Sequence, residues 1–251
     1  MSRVAFVVST VGYHWEEVFA AYWAFKDASW EVDLFTVNGN PPRPDPLSLK
    51  PTGPASLFGL GISARITPET PRGVALVSAL DRARPLSELD TDRIDTLYLP
   101  GGHGCLFDVN RDAGLHDVIR RLYLRGAVLG GVCHATSTFA FVEVDGRSIV
   151  RGHAMTGFPD ALDRTLIPVG LVRPEFLPLP LVNDRALREA GAKLSHLDAA
   201  EAYANPRTMR RSLPFITGVG PKAAAKVARA LITEVLARRG HPVIPRAAVP
   251  A

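Results

Sequence analysis

The sequence predicts an α/β protein built on a mainly parallel sheet, and three observations carry that prediction. The chain opens strand–helix–strand, two later buried strands end in loops of small residues, and the second of those loops begins with a cysteine. A strand–helix–strand unit requires a crossover, and crossovers make neighbouring strands parallel.

Val4 to Val8 is an uninterrupted apolar run, the mark of a strand covered on both faces. Glu16 to Ala28 follows as a helix, with Val18, Phe19, Tyr22, Trp23 and Phe25 on a broad apolar face. Glu31 to Val37 alternates as a strand. Eight prolines then fall between Pro41 and Pro71, so no long helix is expected over 38–72. That excursion reads as a lid, a wrapping segment or a surface insertion. Order returns at Asp95 to Leu99, which leads into Pro100-Gly101-Gly102-His103-Gly104. Ala113 to Arg125 is an amphipathic helix, with Leu115, Val118, Ile119 and Leu122 at helical spacing. Ala127 to Val132 is a strand of small residues that runs straight into Cys133 and His134, with a helix expected through Phe141. Beyond Gly146 the periodicity weakens until Leu213 to Thr217. A final helix spans Pro221 to Arg239, with proline just inside its first turn. One domain is expected over 1–239, and a loose C-terminal tail over 240–251.

Composition narrows the class. With 251 residues, 47% hydrophobic and 22% charged, the chain can bury a substantial core and reads as soluble and globular. Its net charge of +4 is modest. Without zinc-finger spacing, an aromatic-basic motif or a dense arginine run, nucleic acid is not an expected partner. No stretch approaches the roughly 20 apolar residues of a membrane helix, and the N-terminal apolar run is too short for a signal peptide. No membrane partner is therefore expected, and the cytoplasm is the expected location. Cys105 and Cys133 are the two cysteines, too few for a disulfide framework. No histidine, cysteine and carboxylate grouping has metal-ligand spacing, so no metal is expected.

In open parallel sheets, ligands bind beyond the carboxyl ends of the strands. Two loops fall there, Gly101 to Gly104 and Cys133-His134. A glycine loop lets backbone N–H groups face an oxyanion. A cysteine that starts a helix gains from the positive end of the dipole, which is expected to lower its pKa. The sharp turn projects its sulfur as a nucleophile elbow projects serine.

The segments LPGGHGCLFDV, LGGVCHA, GHAMTGF and FITGVGPKAAAKVA occur in that order, with PDPLSL at Pro44 to Leu49. This series resembles the ThiJ/PfpI superfamily, of class I glutamine amidotransferase-like fold, and most of all its heat-shock branch with the cofactor-independent glyoxalase III enzymes. The likeness runs from about Val4 to Leu231. It implies a flavodoxin-like three-layer sandwich with a cysteine nucleophile elbow. Cys133 is then the nucleophile, Glu17 a buried acid beside its sulfur, His134 the proton carrier and Asp163 the partner of that histidine. The N–H groups of Gly102 and His134 would form an oxyanion hole. His103 reads as a pocket residue or a turn hydrogen bonder, and Cys105 as a packed thiol or a regulatory disulfide partner. The chain departs from the pattern at Asp163, where relatives usually carry glutamate, and at Gly220, where asparagine is common. Asp160 and Asp163 flank a turn near Pro159. His153 reads as structural, and Arg210 with Arg211 as a solvated basic turn. His196 and Asp198 suggest an amidotransferase pair but precede the last strand, the wrong place for it.

The implied activity converts methylglyoxal or related 2-oxoaldehydes to 2-hydroxy acids through a Cys133 hemithioacetal, with deglycation as a related reaction. The exchange is internal to the substrate, so no cofactor is expected. Two other readings share the cysteine: a stress-associated chaperone or oxidation sensor, and a cysteine hydrolase of peptidase or isonitrile hydratase type. A homodimer is the expected assembly.

Overall fold

The structure, a computed structural model, describes residues 1–49, 63–180, 183–194 and 204–239. Strand β1 (Arg3–Val7), helix α1 (Trp15–Asp27) and strand β2 (Glu31–Thr36) form the expected opening unit, with β1 and β2 parallel and Phe6 opposite Leu34. The proline-rich stretch contributes short 3₁₀ turns at Pro46–Leu49 and Ala64–Ile66.

Helix α2 (Pro71–Leu80) then forms where no element was expected before Asp95. Pro71 is a starter here rather than a breaker. It occupies the first turn, and the Thr70 side chain accepts a hydrogen bond from the Gly73 N–H, capping one of the helix's orphan donors. Leu76 and Leu80 bury the inner face.

Strands β3 (Arg84–Pro85) and β4 (Thr96–Leu99), helix α3 (Ala113–Leu124) and strand β5 (Val128–Val132) follow. Cys133–Phe141 is a 3₁₀ helix, not an α-helix. Strands β6 (Glu143–Val144) and β7 (Arg147–Ser148) form a small antiparallel ribbon. Strand β8 (Ala154–Met155) is followed by helices α4 (Asp160–Leu166) and α5 (Asn183–Glu189), and then by β9 (Lys193–Leu194), which pairs with β8. Strands β10 (Met209–Ser212) and β11 (Phe215–Gly218) and helix α6 (Ala224–Arg239) complete the described chain. His196, Asp198 and the tail over 240–251 lie outside the described residues.

The main sheet runs β10-β11-β5-β4-β1-β2-β3, parallel throughout except for β10. Alternation along the strands divides the core into two faces. Val4 and Phe6 face one cluster, together with Phe25 of α1, Leu76 of α2 and Leu231 of α6. Ala5 and Val7 face the other, with Leu115 and Ile119 of α3, Phe139 and Leu187 of α5. Helices therefore cover the sheet on both sides, which is why its strands are apolar on both faces.

Two local expectations change. Asp160 and Asp163 do not flank a turn: both lie in α4, which begins directly after Pro159, and both are buried. Arg210 and Arg211 lie in edge strand β10, where Arg211 pairs with Glu234 of α6, so they are not a solvated turn. His153 places Nδ1 3.2 Å from the Ser212 hydroxyl, between the small β8 pair and the main sheet.

Candidate active site

The carboxyl ends of β1, β4 and β5 meet where the connections reverse direction across the sheet, and four loops converge there. Strand β5 delivers Cys133 in a left-handed conformation, φ +57°, before the chain turns into its 3₁₀ helix. Asn110 holds that turn: its side-chain amide donates to the His134 carbonyl at 3.0 Å, and its oxygen accepts from Thr138 at 2.9 Å. The Thr136 hydroxyl donates to the Cys133 carbonyl at 2.8 Å.

Opposite lies the loop that leaves β4. A Cβ on Gly101 would stand 2.9 Å from the Cβ of Cys133, so only glycine lets the two loops approach this closely. The Gly101 N–H donates to Glu17 Oε2 at 2.6 Å. Glu17 itself is fully buried in the first turn of α1. Burial pushes its carboxyl up to about 8, against the Gly101 N–H and the Cys133 contact, which favour the anion. At neutral pH Glu17 therefore holds a proton beside the sulfur.

Cys133, His134 and Asp163 form a line. The Cys133 sulfur is 3.2 Å from His134 Nδ1, and His134 Nε2 is 2.8 Å from Asp163 Oδ2. Phe158 stacks on the His134 ring at 4.7 Å between centroids. The shorter aspartate reaches its histidine from within α4. Asp163's other oxygen lies 3.0 Å from His103 Nε2. Burial alone would raise Asp163, but the two imidazoles outweigh it and hold the carboxyl far below its ordinary range.

The expectation of a dipole-lowered thiol is overturned. Burial pushes the Cys133 thiol well up, and charge on Glu17 and Cys105 would push it further, while the His134 backbone N–H acts the other way. Cys133 is 3% exposed and is followed by a 3₁₀ helix, so desolvation outweighs the end of the dipole. His134 Nδ1 lies 3.2 Å from the sulfur, at the reach from which a base could take its proton.

Of the expected oxyanion donors, the His134 N–H faces the Cys133 sulfur, while Gly102 turns at φ +109° beside the cavity. Cys105 is a free, fully buried thiol beneath the same loop, and burial raises it well above its ordinary value.

A cavity of about 40 Å³ opens onto the cysteine. His103, His134, Cys133 and Gly102 line it, together with the apolar Leu47, Phe158, Leu166 and Leu171. Asp45, Ser48 and His14 complete the lining. These three were missed as site residues, although PDPLSL signalled two of them. The proline-rich stretch is anchored to the start of α1: Asp45 N–H donates to the Tyr13 carbonyl at 2.8 Å, and Trp15 N–H donates to the Ser48 hydroxyl at 3.0 Å. That second bond satisfies an orphan donor at the N-terminus of the helix that carries Glu17. A larger hollow of about 220 Å³ lies at the other end of the strands, beside Asp95, Gly126 and Arg238. Its arginines are engaged with Asp95 and with backbone carbonyls, and its lining offers no nucleophile.

His103, His134 and Asp163 present ligand atoms within 4.8 Å of one another, a donor set that could take a divalent cation. Sequence spacing did not show it, because the three residues come from three separate loops and helices.

Comparison with known proteins agrees with this architecture. No family model matches the chain. It is 25% identical over 230 residues to the glutathione-independent glyoxalase hsp3101 of Schizosaccharomyces pombe, covering 88% of this chain and 86% of that protein. Among solved structures it is similar to glyoxalase III of Candida albicans, with TM-score 0.69 and 21% identity over 92% of this chain and 96% of that one. A ThiJ/PfpI domain protein from Brachyspira murdochii superposes with TM-score 0.58 and 14% identity, covering 94% of this chain and 96% of that one. The chain is thus similar in sequence to curated glutathione-independent glyoxalases and shares its fold with glyoxalase III and with a ThiJ/PfpI domain protein.

Proposed function

We propose that the protein is a glutathione-independent glyoxalase that converts methylglyoxal or a related 2-oxoaldehyde to the 2-hydroxy acid. The observation that carries this reading is the line of Cys133, His134 and Asp163, at 3.2 and 2.8 Å, opening on a small cavity beside the protonated Glu17.

In this reading the Cys133 sulfur adds to the aldehyde carbon while His134 takes the thiol proton and Glu17 donates a hydrogen bond at the sulfur. The aldehyde oxygen gains a proton, giving a hemithioacetal. Moving hydrogen from C1 to C2 through an enediol oxidises C1 to a thioester and reduces C2 to an alcohol. Both electrons stay within the substrate, so the chemistry calls for no external acceptor. Water then releases the hydroxy acid. The backbone N–H of Gly102, and that of His134 once the sulfur has moved toward substrate, would stabilise the oxyanion. A homodimer belongs to the same reading, and sedimentation equilibrium checks it.

The test incubates the protein with methylglyoxal alone and measures lactate. Wild type is expected to turn over without glutathione, and Cys133→Ala to lose all turnover. No lactate from wild type at any pH over roughly 6 to 9 would remove the glyoxalase assignment.

A further inference from the structure

Two histidines share one carboxylate in this site, yet the proposed chemistry has so far used only one of them. His103 and His134 bind the two oxygens of Asp163 at 3.0 and 2.8 Å, with their rings 4.6 Å apart. They differ in access. The His134 side chain is 2% exposed and reaches the sulfur; the His103 side chain is 13% exposed and lines the cavity where the substrate carbon chain would lie. Phe176 stands 6.4 Å from the His103 ring, and the tight turn at Gly102 holds the residue over the cavity.

The reaction proposed above, on which this inference rests, needs two kinds of proton movement. One goes from carbon to carbon, C1 to C2. The other goes from oxygen to oxygen, because the C2 ketone must gain a proton as the C1 hydroxyl loses one. A single imidazole in contact with the sulfur cannot serve both at once.

We propose that His103 is a second catalytic residue, the carrier of the oxygen proton. His134 accepts the C1 hydrogen as a proton while His103 donates a proton to the C2 oxygen, giving the enediol. His134 then returns its proton to C2, and His103 takes the proton of the C1 hydroxyl as the C1 carbonyl of the thioester forms. Each imidazole ends as it began, C1 has lost two electrons and C2 has gained them. Asp163 couples the pair electrostatically: one anion faces both rings, so a proton gained by His134 is offset by the one His103 gives up.

The test is His103→Gln. Glutamine presents an N–H at about the same reach, so it keeps the bond to Asp163, but it carries no exchangeable charge. The readouts are methylglyoxal turnover and the rate at which iodoacetamide alkylates Cys133, which reports the Cys133–His134–Asp163 line without needing the second carrier. Expected for His103→Gln is a kcat lowered about 10²-fold or more, with KM and the alkylation rate within about threefold of wild type. A kcat within about threefold of wild type overturns the proposal. So does a parallel fall in alkylation and turnover, which would make His103 a support for Asp163 and nothing more. No turnover by wild type, with alkylation intact, overturns the glyoxalase reading and this role with it. Turnover by wild type with an unimpaired variant overturns the role of His103 alone.

Discussion

A buried carboxyl that keeps its proton leaves a mark on both activity and stability. Glu17 is held at about 8 by burial, against an ordinary value of 4.5. Activity that needs its proton should fall on an alkaline limb centred near pH 8 in kcat/KM, and Glu17→Gln should lack that limb while losing about 10²-fold or more in rate. Stability moves in the same direction. Between 4.5 and about 8 the folded state binds a proton that the unfolded state has released, so wild-type stability declines as pH rises through that window. Glu17→Gln should therefore melt above wild type, by a margin that grows from pH 5 to pH 8, read from paired thermal melts. Asp163→Asn tests the other end of the line. Placing an amide 2.8 Å from His134 Nε2 favours the wrong tautomer, and kcat should fall about 10²- to 10⁴-fold with the fold intact by circular dichroism. Cys133 could be named from residue type and position, and Glu17, His134 and Asp163 through the resemblance. The state of the thiol could not, because desolvation depends on what packs over the turn.

Secondary-structure elements were legible wherever a local period was strong. The βαβ opening, α3, β5 and the last helix fall within a few residues of their expected limits, since each has an apolar pattern matched to its geometry. Helix α2 was missed because Pro71 reads as a breaker until the Thr70 cap is seen. Helix α4 was missed because its seven residues are too few to show a period. Caps are testable at this scale. The Asp112 side chain accepts from Leu115 N–H at 2.7 Å at the start of α3, so Asp112→Ala should cost about 1 kcal/mol and lower Tm by about 2–4 °C.

At the scale of the whole molecule, the sheet has to be covered on both faces before the loops at its carboxyl end can be held at fixed distances. Leu231 of α6 packs on the Gly130 position of β5, where no side chain fills the space, so α6 sits close against the strand that carries Cys133. Leu231→Ala should open a cavity there and cost about 2–5 kcal/mol in urea unfolding. No helix among the described residues is long and apolar enough to cross a membrane.

The sequence by itself determined the parallel α/β order and the cysteine at the end of a small-residue strand, because periodicity, proline and glycine act over a few neighbouring residues. It also held, through resemblance, the identities of Glu17, His134 and Asp163. Only the tertiary structure decided that Asp163 stands between two histidines, since His103 lies 60 residues away along the chain and no local signal links them. Only it decided that Asp45 and Ser48 wall the cavity, because that follows from hydrogen bonds across to Tyr13 and Trp15. And only burial, a property of the assembled layers, decided that the Cys133 thiol is raised and that Glu17 keeps its proton.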